Sequence, residues 1–147
     1  MELTEVQLLL FTVSGNRYGI DIDQIAALRN ADSTESPLYF AQLMGVHNVT
    51  KSACSKQLII KHTGNRPVLI TEPEEVATVS TGSIRPVPAI LKKTAGEKGV
   101  WGLLPQSQQR VIILVDLYKN LLFMQLTDSI ANAKPDRVLQ ERSNNEK

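Results

Sequence analysis

Few side chains in this 147-residue chain are of a type and spacing that could do chemistry. His47 and His62 are the only imidazoles and Cys54 the only thiol. Their separation fits no compact zinc-binding pattern. A cysteine nucleophile needs a neighbouring base, and Cys54 sits in Ser52-Ala53-Cys54-Ser55, which announces no strained elbow. It reads as a small core or loop residue. Asp21 and Asp23, two apart, would share one face of a strand, as acid–base and metal-binding pairs do. One such pair is common by chance. Glu72, Glu74 and Glu75 form an acidic bend without the pattern of a calcium loop. Gly96-Glu97-Lys98-Gly99 lacks the glycine spacing of a phosphate cradle. The expectation is no catalytic residue, no metal and no cofactor, hence a binding or scaffolding module.

The elements that would position any site are short and β-rich. Val6–Val13 and Tyr18–Ile22 flank Ser14-Gly15-Asn16-Arg17 and predict a hairpin, with Gly15 free to take a positive φ. Asp21 or Asp23 can cap a short helix over Asp23–Leu28, where Ile25 and Leu28 share a face. Asn30–Pro37 reads as an exposed loop. Leu38–Met44 is apolar and ambiguous, is ended by Gly45, and precedes a possible strand at Val46–Val49. Leu58–Ile60 and Pro67–Ile70 predict strands around a turn at His62–Arg66. Val76–Val79 is a strand or a bend. Two prolines in Ile84-Arg85-Pro86-Val87-Pro88 favour an edge or a rigid extended piece. Ile90–Lys98 reads as polar and flexible. Val100–Leu104 and Val111–Val115 predict strands around a turn at Gln106–Gln109, and the second of these is the strongest buried-strand signal. Asp116 then caps a short helix through Leu117, Leu121 and Leu122. About eight short strands and few helices predict an all-β fold, an antiparallel barrel or sandwich.

Composition narrows the class of function. Apolar residues make up 42% and charged residues 21%, an ordinary globular balance. Sixteen basic against fifteen acidic residues leave a net charge of +1. That is no electrostatic footprint for nucleic acid, and aromatic residues are not interleaved with basic ones. Charge is uneven nonetheless: residues 37–71 carry four bases and no acid. A single cysteine, no leader-like start and no run of about 20 apolar residues predict a cytoplasmic protein without direct membrane insertion. Thr127–Lys147 is polar and reads as a C-terminal tail or a docking helix.

Four pieces of the chain, in order, resemble the CheW-like chemotaxis coupling-protein family. The first is the opening hairpin from Leu8 to Ile22, with its Gly-containing turn, Tyr18, and the apolar–acidic–apolar step Ile20-Asp21-Ile22. The second is Met44-Gly45-Val46-His47-Asn48-Val49. The third runs from Pro67 to Val76 and on through Ile84-Arg85-Pro86-Val87-Pro88. The fourth is Val100-Trp101-Gly102-Leu103-Leu104 followed by Ile112 to Leu122, with its Leu114-Val115-Asp116-Leu117 step. The likeness spans residues 6–122. This chain departs from the family in three ways, the first being that Thr71, Glu72, Pro73 and two further acids intervene where the third segment usually ends in Val-Asp-x-Val. Thr50 and Lys51 stand where an Arg-Gly pair is usual, and the next strand is largely missing because Lys56–Ile60 follows almost at once.

The resemblance implies two small β-barrel-like subdomains sharing an apolar seam, with short helices including one after the last strand. It implies a domain over residues 1–126 with a shortened first subdomain, and a tail over 127–147. It further implies a non-catalytic adaptor that couples a histidine kinase to a chemoreceptor-like protein by protein–protein binding. Gly45, Asn48, Thr50 and Lys51 are the partner-binding residues expected from family position, and Arg85, between Ile84 and Pro86, is a further exposed candidate. Two rival readings stay open. One is a β-barrel binding or structural module for another protein or a small molecule. The other, weaker, is a small hydrolase using Asp21, Asp23 or Asp116.

Overall fold

A computed structural model of the chain describes residues 4–31, 38–46, 53–61 and 67–119. Among these residues nine strands form two sheets. The first is built from β1 (Glu5–Val13), β2 (Asn16–Asp21), β7 (Glu75–Ser80), β8 (Val100–Pro105) and β9 (Val111–Val115), in the order β7-β1-β2-β9-β8. The second is built from β3 (Ile25–Asn30), β4 (Leu38–Tyr39), β5 (Lys56–Ile60) and β6 (Pro67–Ile70), in the order β3-β5-β6-β4. Two short helices, α1 (Phe40–Leu43) and α2 (Lys92–Glu97), complete it with single 3₁₀ turns.

The opening hairpin forms because its turn can take the hand that twisted strands need. Ser14 and Gly15 both have positive φ, 50° and 83°, the geometry of a two-residue primed turn. The pairing from Val13↔Asn16 to Leu8↔Asp21 is regular. Alternation then sends successive β1 residues to opposite faces. Leu9, Phe11 and Val13 go to one side and Leu8 and Leu10 to the other, and each set joins its own apolar cluster. Gly19 on β2 lies opposite Leu10, and a Cβ there would come within 3.1 Å of both Leu10 and Leu114. Those two side chains fill the space a larger residue would need.

The two sheets share one core. Phe11, Tyr18, Ile20 and Val115 come from the first sheet, and Leu58, Ile60, Val68 and Ile70 from the second. Phe40 of α1 stands between them, fully buried. Its ring meets Phe11 edge-on at 4.8 Å and Tyr18 at 5.0 Å, the edge-to-face arrangement that aromatic quadrupoles favour.

Polar links fix the joint. The Thr71 hydroxyl donates to the Thr12 carbonyl at 2.7 Å. The Gln24 amide donates to Asp116 Oδ1 at 2.8 Å, and its oxygen accepts from the Leu117 N–H at 3.1 Å. Asp116 Oδ1 also accepts from the Tyr118 and Lys119 N–H groups, capping a helical turn at 117–119, while the expected continuation through Leu121 and Leu122 lies outside the described residues.

Several expectations need correction. The subdomains are not barrels: both sheets are open among the described residues, with β7 and β8, and β3 and β4, at their edges. The first sheet stays open because the chain beyond β7 returns to β8 through one bridge only, Arg85↔Leu103. The next residue whose N–H would face β8 is Val87, and it makes no bridge there. Nor is the pairing purely antiparallel, since β2 with β9 and β4 with β6 run parallel. Asp23–Leu28 is not a helix. Asp21 caps only a 3₁₀ turn at Ile22–Gln24, accepting from the Asp23 N–H at 2.9 Å, after which Ile25–Asn30 pairs with β5. Across Ile90–Lys98, a 3₁₀ turn over Ala89–Leu91 runs into α2, Lys92–Glu97. The turn at His62–Arg66 and the tail over 127–147 lie outside the described residues.

Candidate protein-interaction surface

The segment between β7 and β8 is held at both ends and exposed in the middle. At its start the Ser80 hydroxyl accepts from the Gly82 N–H at 3.2 Å and opens a 3₁₀ turn over Thr81–Ser83. Ile84 then drops over the first sheet, so close that a Cβ on Gly102 would meet its Cγ2 at 2.7 Å. Only a glycine at 102 lets the chain approach there. That approach allows Arg85 and Leu103 to exchange two backbone hydrogen bonds of 2.8 and 2.9 Å. Pro86 and Pro88 stiffen the next steps. The Pro88 carbonyl accepts from the Leu91 N–H at 2.9 Å and starts the 3₁₀ turn Ala89–Leu91, which runs into α2. At the far end Gly99, with φ 77°, reverses the chain into β8.

On this stapled segment Ile90 is 91% exposed and Leu91 54% exposed. Lys92 and Lys93 follow, both exposed. A branched aliphatic side chain almost wholly in water contributes nothing to the fold. Burying one in a partner would contribute about 1.5–3 kcal/mol. Apolar anchors beside a polar, charged rim are the anatomy of protein–protein contacts.

The structure brings two of the five expected site residues to this segment. Arg85 is its first anchor, with an exposed side chain. Gly45, with φ 78°, ends α1 and lies against Lys98 just beyond α2; a Cβ on it would stand 3.3 Å from the Lys98 Nζ. Asn48, Thr50 and Lys51 lie outside the described residues. Ile90 and Leu91 were not among the expected residues. The sequence signal for them is an apolar pair placed between a proline-stiffened stretch and two lysines.

Two of the three carboxylates of the hydrolase reading, Asp21 and Asp116, are engaged in structure. Asp21 and Asp116 are caps, and Asp116 also holds Gln24. Asp21 and Asp23 line a cleft of about 490 Å³ with Glu5 and Trp101. A second cleft of about 530 Å³ lies beside Arg17, whose guanidinium is taken up by Glu74 at 3.1 Å, Glu75 at 2.8 Å and Gln106 at 3.2 Å. Burial pushes the Cys54 thiol above its ordinary range, away from the reactive thiolate. Among the described residues no group of three or more His, Cys, Asp or Glu is placed to hold a metal ion. No helix among them is long and apolar enough to cross a membrane.

No protein-family model and no curated protein matches the sequence. Among solved structures, the chain superposes on the scaffolding protein TtCheW from Thermoanaerobacter tengcongensis with a TM-score of 0.59 and 17% identity. That match covers 77% of this chain and 90% of the other. Two sheets meeting over one aromatic core, in this chain order and at this sequence distance, make the chain a divergent instance of the CheW-like fold.

Proposed function

We propose that this protein is a non-catalytic adaptor of a chemotaxis-type signalling pathway, which couples a histidine kinase to a receptor-like protein by protein–protein binding. Its fold is that of a scaffolding protein, and such a platform needs a rigid body with a few exposed anchors. The observation that carries the reading is the Ile90–Leu91 pair, held out from the surface on a segment stapled at Arg85. A domain that used this segment only as a connection would gain by a polar residue at 90. In the proposed complex Ile90 and Leu91 enter an apolar recess of the partner, and Lys92 and Lys93 meet acidic residues at its rim.

The test is affinity capture from the native host with the full chain and with Ile90→Asp, both first shown folded by circular dichroism. The expected result is recovery of a histidine kinase or a receptor-like protein by the parent chain and its loss with the variant. Recovery of neither class by the folded parent chain would overturn the proposal.

A further inference from the structure

Among the described residues, four strand edges bound the two sheets, and three of them are blunted. β8 carries the Arg85 bridge at Leu103 and ends in Pro105. β4 is two residues long. β3 has a register shift between Ile25 and Ala27 and places Arg29 in the strand. Bulges, prolines, basic side chains and shortness are the usual guards against edge pairing. β7 has none of them. Its six residues, Glu-Val-Ala-Thr-Val-Ser, pair with β1 without a shift and contain no proline and no basic residue.

The direction of its free groups follows from the ladder. The Thr81 N–H donates to the Thr4 carbonyl at 2.9 Å. Antiparallel alternation then turns the backbone groups of Glu75, Ala77 and Val79 toward β1, and those of Val76, Thr78 and Ser80 outward. The side chains of Val76, 52% exposed, and Thr78 are in solvent.

We propose that the β7 edge is a self-association surface, pairing antiparallel with β7 of a second copy of this chain about a two-fold axis. Only even-numbered residues can exchange hydrogen bonds across the joint. The register centred on Thr78 pairs all three outward residues: Thr78 lies opposite its own copy, Val76 opposite Ser80, and Ala77 opposite Val79. No like charges face each other in this register, and Glu75, the one charge on the strand, is already paired with Arg17 within its own chain. The same patch is used on both sides, as a two-fold interface requires. Six residues of edge are a small contact, so the dimer is weak and concentration-dependent.

Sedimentation velocity on the full chain, up to about 1 mM so that a weak contact is populated, tests this. The parent chain is expected to shift from monomer to dimer across that range. Thr78→Pro removes one outward N–H without touching the β1 ladder. Val76→Lys adds the missing charge guard and tests the same edge should the proline variant fail to fold. Each folded variant is expected to raise the dissociation constant by about tenfold or more. A parent chain that stays monomeric throughout overturns the proposal, leaving the edge to a strand of some other protein. A dimer that Val76→Lys leaves unchanged overturns it as well.

Discussion

The seam between the sheets and the segment between β7 and β8 each carry large apolar side chains, yet they handle them in opposite ways. Phe40 is fully buried between two aromatic rings, while Ile90 is 91% exposed. Both sit at the start of a short helical piece. The difference is what the flanking chain pairs with. Phe40 follows β4, which is joined to β6 and so aims α1 at the core. Ile90 follows two prolines and one bridge, and nothing in the fold draws it inward. Apolar character alone therefore marks neither core nor interface; the hydrogen-bonded neighbours decide.

Substitutions ranked by their expected cost to stability should separate the two regions. Phe40→Ala removes the ring shared by both sheets and is expected to cost about 3–5 kcal/mol in denaturant unfolding. Gly19→Ala pushes a methyl against Leu10 and Leu114 and is expected to cost about 1–3 kcal/mol by the same measurement. Asp116→Ala strips the cap from Tyr118 and Lys119 and frees Gln24, and should lower stability by about 1 kcal/mol. At the other extreme, Ile90→Asp should leave the unfolding free energy within about 0.5 kcal/mol of the parent while removing the captured partner. A large loss of stability at Ile90 would erase the contrast between the regions.

Alkaline pH probes the seam without mutation. Burial raises the Tyr18 hydroxyl above its ordinary value of 10.0. A raised folded value favours the neutral form, so this contribution is intact below pH 10.0 and is lost as pH rises through the folded value. Tyr18→Phe should remove that component of the alkaline loss, read as a flatter stability curve above pH 10.0.

Much of the fold is legible in the sequence where period and punctuation agree. Alternating β-rich runs around Ser14-Gly15 and Gln106–Gln109 give hairpins because their pairing is local. Asp116 gives a cap because its partners lie two and three residues on. Ile25–Asn30 is misread because a spacing of three suits a helix locally, whereas a ladder with β5, distant in sequence, decides it. α2 escapes notice because it has only six residues, no side-chain cap and an internal Gly96. The parallel pairs of β2 with β9 and β4 with β6 and the open sheet edges are long-range facts with no local signature. Gly45 and Arg85 stand out in the sequence as candidates, and the structure places both beside the segment between β7 and β8. Ile90 and Leu91 do not stand out, because the exposure of an apolar residue is set by what fails to cover it.

The most direct measurement is amide hydrogen exchange on the full chain, free and in complex with the captured kinase or receptor-like protein. The account predicts new protection over residues 84–93, with the seam strands β1, β5 and β6 unchanged. Protection that appears elsewhere on the chain, with 84–93 exchanging as in the free protein, would contradict it.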